Sequence, residues 1–444
     1  MRNLLCFISL LLCTTYLSRA QEYTFSQGRT SQTVEFELIN NLIVFPLTVN
    51  GTELTFILDT GVGSPVIFNM TSSDSLQFRN IEVVKLRGLG EGEPVDAIRS
   101  KGNTLLFGDI IGKHQDLFII YNEKLDLSGK LGVSVNGIIG YDILKDFVVS
   151  INYLSRKITF TNPADYSYKR CKSCETFDLH FYKKKPFINA EIENLDNSIV
   201  PVQLLIDSGG TDSLWLFEDD EKNVSIPENS FEDFIGEGIS GGIFGMRSKL
   251  NAFRLKSFLI PKPNVAYLDS VSSAYAKGLS TRNGSLGGNI LKRFKVILDY
   301  PNKKVTLKKN RNFSEPFSYN MSGIELIHAG TTLVKELNST RFSLENESSV
   351  SNSSTITLNY MYSFNLKPLY KIAYVRKDSP SDKCGLMVGD ILVKVNGKYA
   401  YNYQLKDIVQ KFYGSEEKWV RLTIERDGRE LDYSFKLKNL LEMF

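Results

Sequence analysis

The 444-residue sequence predicts a mainly β protein, with two pseudo-twofold-related β lobes followed by a smaller α+β domain. Three observations carry this prediction. Short runs of alternating apolar residues, separated by glycine-rich breaks, occupy residues 21–311, where helical periodicity is rare. The same landmarks occur twice within that range, which indicates an internal duplication. A different pattern, with hairpin turns and one amphipathic helix, follows Ser379.

Residues 1–20 have the features of a secretory signal peptide. Arg2 precedes an apolar stretch from Leu4 to Leu12, and Ser18-Arg19-Ala20 forms a small-x-small cleavage site. This stretch is shorter than the ~18 apolar residues that span a bilayer, and an uncleaved anchor is the alternative. We therefore expect an exported protein, periplasmic or extracellular, with no transmembrane segment in the mature chain.

The mature chain is close to electrically neutral. Cleavage would remove Arg2 and Arg19 from the 53 basic residues and would leave all 50 acidic residues. A net charge of +1 provides no overall positive field, so nucleic acid is not an expected partner.

Cysteine usage agrees with export. Cys171 and Cys174 form a C-x-x-C motif in a basic linker, where a structural disulfide is favoured over redox chemistry. Cys384 is expected to be a small buried hydrophobic residue.

The duplication is clearest where two apolar runs end in aspartate. Asp59 follows Phe56-Ile57-Leu58, and Asp207 follows Leu204-Leu205-Ile206, 148 residues later. The same step relates further landmarks, in the order first copy to second copy: Gly88 to Gly236, Gly90 to Gly238, and Arg99-Ser100-Lys101 to Arg247-Ser248-Lys249. With one residue deleted, the segment from Asn136 lies on the segment from Asn283. We expect one lobe at 21–163 and a second at 164–311.

The duplication explains why an aspartate ends each of the two apolar runs. A carboxylate at the end of a buried strand is costly unless it is paired or put to use. Pseudo-twofold packing would bring Asp59 and Asp207 together, and two adjacent carboxylates share one proton. Four neighbouring residues would support the pair, through hydroxyl hydrogen bonds and close backbone approach: Thr60, Gly61, Ser208 and Gly209.

The segments "FILDTG" and "LLIDSG", with "NGIIG" and "GSLGG" downstream, resemble the aspartic peptidases. Residues 30–310 are similar to two retropepsin-like lobes fused in one chain, as in bacterial aspartyl protease family proteins. The resemblance implies an aspartic endopeptidase in which Asp59 and Asp207 activate water without a metal or organic cofactor. It also implies flaps over a peptide cleft, with these candidates: Gly88, Gly90, Gly236 and Gly238. Two departures are Val62 and Gly210, where the family usually has Ala, Ser or Thr.

Other interpretations of the duplicated motif remain open. The two motifs could be plain strand-to-turn junctions, or belong to a catalytically silent periplasmic peptide-binding protein. "DSGG" at 207–210 and "GISGG" at 238–242 also look like nucleophilic-serine signatures. A serine mechanism needs a histidine base, and none of the chain's histidines stands in a trypsin-like motif: His114, His180 and His328. No H-E-x-x-H motif supports a zinc site.

The segment "SPSDKCGLMVGDILVKVNG", from Ser379, resembles a bacterial PDZ domain. We place this domain at 312–440, with a polar insertion at about 331–366, in which the Ser/Asn-rich stretch 338–354 contains no core material. The resemblance implies that C-terminal peptides of partners or substrates bind at the following residues: Gly323, Ile324, Glu325 and Leu326. A purely structural cap is the alternative.

Overall fold

The structure is a computed structural model that describes residues 22–26, 28–68, 76–90, 92–121, 127–268, 273, 282–346 and 354–442. The predicted signal peptide lies outside the described residues. The chain forms two compact units. The first contains the described parts of 22–121 and 135–317, and the second contains 127–134 and 318–442. Among the described helices, none is long and apolar enough to cross a bilayer.

The first repeat is built almost wholly of strands. Its described elements are β1 (Glu22–Phe25), β2 (Ser31–Glu35), β3 (Glu37–Ile39), β4 (Leu42–Val49), β5 (Thr52–Leu58), β6 (Val66–Ile67), β7 (Ile81–Leu86), β8 (Val95–Phe107), β9 (Ile110–Ile120), α1 (Leu127–Leu131), β10 (Gly137–Ile139), α2 (Tyr141–Leu144), β11 (Val148–Asn152) and β12 (Lys157–Thr161). Helix α1 packs in the second unit. The other elements surround a core that this repeat shares with the next.

The second repeat has matching elements. They are β13 (Cys174–Asp178), β14 (His180–Tyr182), β15 (Lys185–Glu193), β16 (Ile199–Ile206), β17 (Leu214–Phe217), β18 (Phe231–Gly238), β19 (Gly241–Lys249), β20 (Ala252–Leu255), β21 (Phe258–Pro261), β22 (Asn264–Leu268), β23 (Gly284–Leu286), α3 (Gly288–Leu291), β24 (Phe294–Asp299) and β25 (Lys304–Lys309). A disulfide joins Cys171 to Cys174 at the start of β13.

Both motif-bearing strands occupy the same position in their sheets. The first sheet has the order β1-β9-β6-β10-β5-β4-β8-β7, and the second has β18-β19-β22-β17-β23-β16-β15-β20-β21. β5 lies between antiparallel β4 and parallel β10, while β16 lies between antiparallel β15 and parallel β23. Strands with neighbours on both sides are buried, which explains why both runs are continuously apolar. The predicted mainly β fold with two related lobes is confirmed.

A third sheet joins the two repeats. Its order is β13-β25-β24-β11-β12-β2, so each repeat supplies three strands. β11 pairs with β24 at the centre, and Ser150 lies opposite Ile297. These two residues occupy equivalent positions in the repeat alignment that places Asn136 on Asn283. The pseudo-twofold axis therefore passes between them.

The second unit is an antiparallel sheet with short helices. Its elements in 318–442 are β26 (Ile324–Asn346), β27 (Ser354–Val375), α4 (Pro380–Lys383), β28 (Ile391–Val395), β29 (Lys398–Tyr399), α5 (Leu405–Val409), β30 (Trp419–Arg426) and β31 (Arg429–Lys436). The sheet order is β26-β27-β28-β30-β31, with β29 on β28. Asp390 accepts two 2.7 Å hydrogen bonds from Arg426, which anchors the Gly389-Asp390 turn to β30.

The segment predicted as a polar insertion forms a long β-ribbon. β26 and β27 continue in antiparallel register from the sheet out to Asn346 and Ser354. Among the described residues, β27 pairs with a further strand only at Tyr370 and Lys371. The Ser/Asn-rich composition near residue 350 obscured the apolar alternation of 358–366, which is the period of a strand.

Candidate active site

Each of the two aspartates begins a turn at the carboxyl end of a buried strand. The Asp59 N–H donates to the Ile139 carbonyl at 2.8 Å, across the parallel pair β5–β10. The Asp207 N–H donates to the Leu286 carbonyl at 2.9 Å, across β16–β23. The parallel neighbour thus fixes the backbone of each aspartate, and the chain turns immediately after it.

Reciprocal hydrogen bonds join the two turns through Thr60 and Ser208. The Thr60 N–H donates to Ser208 Oγ at 3.0 Å, and the Ser208 N–H donates to Thr60 Oγ1 at 2.9 Å. Each hydroxyl then donates across the axis, from Thr60 to the Ile206 carbonyl at 2.6 Å and from Ser208 to the Leu58 carbonyl at 2.7 Å. Both side chains are almost fully buried, so these four bonds hold the turns in one geometry.

The carboxylates of Asp59 and Asp207 lie side by side between the two glycines. Each accepts a hydrogen bond from the glycine of its own turn, at 2.7 Å from Gly61 and 3.1 Å from Gly209. A Cβ on Gly209 would fall 2.4 Å from Asp59 Cγ, and a Cβ on Gly61 would fall 3.4 Å from Asp207 Oδ1. Each carboxylate therefore reaches the opposite turn, and Gly209 leaves no room for a side chain.

Burial and proximity change the titration of the pair. Burial and then the negative charge of Asp207 raise the pKa of Asp59 from 3.8 to about 7. Burial also raises the pKa of Asp207, but the positive charges of Arg282 and Lys185 oppose this rise. Two such carboxylates titrate as a coupled pair and hold one proton between them at intermediate pH.

Sequence reasoning missed the cation Lys185. Phe187 on β15 pairs with Leu205, two residues before Asp207, and Lys185 lies two residues before Phe187. In the first repeat, Val44 on β4 pairs with Ile57, two residues before Asp59, and the residue two positions before Val44 is Leu42. The second repeat thus has a cation where the first has leucine. The equivalence of Lys185 and Leu42 follows from strand pairing, so no motif in the sequence marked it.

Arg282 is the second cation near the pair, and it is fully enclosed. Its guanidinium donates to the Gly284 carbonyl at 3.2 Å and to Ser285 Oγ at 2.7 Å, and it lies 5.1 Å from the centre of the Phe217 ring. Burial lowers the pKa of Arg282 to about 10, so it remains positively charged near neutral pH. The equivalent residue of the first repeat is Val135. Both cations therefore come from the repeat that carries Asp207.

The two glycine-rich hairpins, β7–β8 and β18–β19, meet at their tips. The Gly92 N–H donates to the Ser240 carbonyl at 2.6 Å, the Ser240 N–H donates to the Leu89 carbonyl at 3.1 Å, and the Gly88 N–H donates to Ser240 Oγ at 3.2 Å. Gly90 has φ +120°, and a Cβ there would fall 2.6 Å from the Gly241 carbonyl oxygen.

The four flap candidates therefore have different surroundings. Gly88, Gly90 and Gly238 lie in the contact between the tips, where a Cβ on Gly238 would fall 2.0 Å from the Leu89 carbonyl oxygen. Gly236 lies at a bulge in β18 and has no atom within 4 Å of where its Cβ would be. Leu89 itself packs against an apolar cluster that includes Trp215 and Phe217 of β17, just after the Asp207 turn.

Arg247 connects the second hairpin to the turn that carries Asp207. It lies on β19 and donates to Asp233 on β18 at 3.0 Å and to Asp212 at 2.8 Å. Asp212 also accepts a 3.0 Å hydrogen bond from the Trp215 indole. The sequence identified Arg247 only as a landmark of the repeat, and the structure shows what it contacts.

The side chains of the two candidate nucleophiles, Ser208 and Ser240, form hydrogen bonds with backbone groups. Ser208 Oγ lies within the reciprocal bonds described above, and Ser240 Oγ accepts from the Gly88 N–H. Among the described residues, no group of three or more His, Cys, Asp or Glu side chains is arranged to hold a metal ion.

Comparison with known proteins identifies two domains. Residues 45–143 match the family model for aspartyl proteases, and residues 371–426 match the model for the PDZ domain. The chain carries an aspartyl protease-like domain and a C-terminal PDZ domain. The crystal structure of an aspartic proteinase from Irpex lacteus covers 64% of this chain and 98% of its own, with a TM-score of 0.41 and 14% identity.

Curated relatives match over a shorter stretch. A probable CtpA-like serine protease of Staphylococcus saprophyticus is 42% identical over 60 residues, which are 14% of this chain and 12% of that protein. The corresponding protein of Staphylococcus haemolyticus is 37% identical over 60 residues, with the same coverage. The alignment therefore spans about one eighth of each of these relatives.

The predicted peptide-binding residues of the PDZ domain precede the matched range and begin its edge strand, β26. Gly323 has φ +86°, and its carbonyl accepts a 2.7 Å hydrogen bond from the Arg376 N–H. The Ile324 N–H donates to Ser322 Oγ at 3.2 Å, and the Ile324 carbonyl accepts from Asn320 at 2.7 Å. Glu325 and Leu326 continue the strand opposite Tyr374 and Ile372. A peptide carboxylate at Ile324 would have to displace Ser322 Oγ.

The PDZ unit also contains a segment that lies far from it in sequence. Helix α1 and the residues after it, up to Ser134, pack with β26 and the start of α5. Leu131 is buried, and a Cβ on Gly132 would fall 2.7 Å from Leu405 Cβ. A cavity of about 330 Å³ lies between this segment and β26, next to His328 and Gly330. No feature of the sequence predicted this association.

Proposed function

We propose that this chain is an exported aspartic endopeptidase that hydrolyses peptide bonds with water activated between Asp59 and Asp207. The observation that carries the proposal is the reciprocal bonding of Thr60 and Ser208, which brings the buried Asp207 and the partly buried Asp59 together across a pseudo-twofold axis. A structural scaffold would not need two adjacent, mutually repelling carboxylates shielded from water, because their desolvation costs stability.

The asymmetry of charge suggests how the two carboxylates divide the reaction. Burial raises the pKa of both carboxylates and Lys185 lowers the pKa of both, but Arg282 favours the ionised form of Asp207, while the charge of Asp207 favours the protonated form of Asp59. Asp207 would then take a proton from the bound water, and Asp59 would donate its proton to the oxygen of the scissile carbonyl. The water oxygen bonds to the carbonyl carbon. The C–N bond then breaks as Asp207 donates its proton to the amine nitrogen, while Asp59 takes a proton from a hydroxyl of the tetrahedral intermediate, so the pair again holds one proton.

The other parts of the proposal rest on different observations. Export rests on the sequence of residues 1–20, and peptide binding at the PDZ domain rests on the matched range 371–426 and the edge strand β26. Strand addition at such an edge would recruit protein substrates or partners through their C-terminal peptides.

The test is digestion of a diverse peptide mixture by the mature protein, with product sequencing. We expect defined cleavage by the wild type and loss of at least about 10³-fold in rate in both Asp59→Asn and Asp207→Asn, because each role needs its carboxylate. The matched control is Asp299→Asn, which alters a buried carboxylate of the six-stranded sheet. It should retain activity, provided that it folds.

The result also separates the alternatives. A wild type that binds peptides but leaves them intact would favour a silent peptide-binding protein. Full activity in either aspartate variant would contradict the shared-proton mechanism. Loss of activity in Ser240→Ala, with both aspartate variants active, would favour serine chemistry.

A further inference from the structure

The β-ribbon of the second unit, residues 331–346 and 354–367, has one strongly apolar and exposed face. Leu333 pairs with Leu366, and Leu337 pairs with Tyr362, so these side chains lie on the same face. The rings of Tyr360 and Tyr362 are 6.4 Å apart. Six side chains of this face are each 48% to 70% exposed: Leu333, Leu337, Tyr360, Tyr362, Phe364 and Leu366. We call this surface the apolar face.

The opposite face of the ribbon is polar and internally bonded. Glu336 forms an ion pair with Lys367 at 3.1 Å and accepts a hydrogen bond from Asn365 at 2.6 Å. Ser363 donates to Asn338 at 2.9 Å. The ribbon is therefore amphipathic. Among the described residues, no third strand pairs with 331–346 or 354–367, because β28 pairs with β27 only at Tyr370 and Lys371. A two-stranded ribbon is marginally stable in water unless its apolar face is covered.

The exposed area suits a protein partner. With about half of each side chain's ~200 Å² exposed, the six residues leave on the order of 600 Å² of apolar surface. This is at the upper end of what a monomer usually exposes in one patch. Two such faces packed together would bury about 1,200 Å², which exceeds the ~1,000 Å² expected of a specific interface.

The charges of the ribbon do not favour a lipid surface. Residues 331–367 contain as many basic as acidic side chains, which are Lys335, Arg341, Lys367, Glu336, Glu345 and Glu347. Peripheral binding to anionic lipid needs a basic excess, and this segment has none. Lys335 also lies on the apolar face, and its Nζ is 3.8 Å from the centre of the Tyr362 ring, which shields the aliphatic part of its side chain.

We propose that the apolar face is a dimerisation surface, and that its partner is the same face of a second copy of this chain. Like-on-like packing needs no complementary charge pattern, and a twofold arrangement pairs apolar side chains with apolar side chains. Two ribbons packed face to face at a spacing of about 10 Å form a small sandwich in which each covers the other.

The test is the sedimentation of the full mature chain over a range of concentrations. We expect a reversible dimer, and we expect Phe364→Ser to raise the dissociation constant about tenfold or more, because truncated aromatic anchors dominate interface energetics. Phe364→Lys should leave only monomer. The matched control is Met361→Ser, which removes an apolar side chain that is also about half-exposed, but from the opposite face, and should leave the dimer unchanged.

Three results would overturn the proposal. The first is a wild type that stays monomeric at every concentration. The second is an equal response of the dimer to Phe364→Ser and Met361→Ser, which would place the interface elsewhere. The third is a monomer that binds vesicles of phosphatidylcholine and phosphatidylglycerol through Phe364, which would assign the apolar face to lipid. Peptidase activity plays no part in this test, so its outcome is independent of the proposed function.

Discussion

The pair Asp59 and Asp207 lowers the free energy of unfolding, and the size of this destabilisation depends on pH. The pKa of Asp59 is 3.8 when exposed and about 7 when folded, so between these values the folded state holds a proton that the unfolded state releases. Stability therefore falls as pH rises through this window, and the full penalty is present above it. The residue that the proposed reaction needs most is thus a source of instability at neutral pH.

The neutral isostere Asp59→Asn should therefore stabilise the protein at neutral pH. We expect a gain on the order of a few kcal/mol in the free energy of unfolding above pH 7, which shrinks as pH falls toward the ordinary pKa of 3.8. Thermal denaturation of wild type and variant at both ends of this window measures the difference. Equal stability of the two proteins at every pH would show that Asp59 is neither buried nor coupled as described.

A second residue-scale prediction concerns Lys185. Replacement by leucine, the residue that the first repeat has at this position, removes a positive charge that lowers the pKa of both aspartates. Both limbs of the pH–rate profile should then move to higher pH. The matched control is Lys184→Leu, which removes the adjacent charge that pairs with Asp142. An unshifted profile in Lys185→Leu, or an equal shift in the control, would contradict this role.

At the residue scale, the sequence predicted the site residues that occur in both repeats and missed the cations that occur only in the second repeat. Asp59, Asp207, Thr60 and Ser208 were found because their positions recur, and the structure brings all four together. Lys185 and Arg282 do not recur, so no motif marked them. Their importance comes from proximity in the folded sheet, which a one-dimensional pattern does not contain.

At the scale of elements, the contact between the hairpin tips depends on glycine. Gly90→Ala would place a Cβ against the Gly241 carbonyl in a left-handed backbone conformation, so the tips should separate. We expect faster hydrogen exchange around Gly92 and Ser240 and a loss of about tenfold or more in kcat/KM, because closed hairpins exclude water and position the substrate.

Gly236→Ala provides the control for that experiment. It lies in the same pair of hairpins but has open space around it and no positive φ. Hydrogen exchange and kcat/KM should stay close to wild type. If both glycine variants behave alike, the contact between the tips has no functional role.

The sequence predicted strands correctly where burial imposes a regular spacing of apolar residues, and it missed elements that lack this clear spacing. The β-ribbon shows the reason: its apolar face follows the period of a strand, but the Ser/Asn-rich composition near residue 350 obscured that period, so the segment was predicted to be an insertion. The helix α1 shows another reason. It is too short for its periodicity to indicate which surface it packs against.

At the scale of the whole molecule, the PDZ unit depends on a segment from the middle of the first repeat. Leu131→Ala should lower the free energy of unfolding of this unit by about 2–5 kcal/mol, as expected for truncation of a buried leucine. The chain has two tryptophans, so a Trp215→Phe background leaves Trp419 to report on this unit in urea denaturation.

The half-exposed Leu154 offers a control of the same chemistry. Leu154→Ala should change the Trp419 transition little, because its side chain is 37% exposed and lies in the first unit. A Trp419 transition that is insensitive to Leu131→Ala would mean that α1 contributes nothing to the stability of the PDZ unit.

The central claim is that two coupled carboxylates activate water, and the pH–rate profile of kcat/KM on a cleaved peptide tests it most directly. Activity needs the state in which the pair holds one proton, so we predict a bell-shaped profile that falls at low pH and again above about pH 7, where Asp59 loses its proton. Activity that instead climbs steadily to alkaline pH, in protein shown to be folded, would contradict the roles of Asp59 and Asp207.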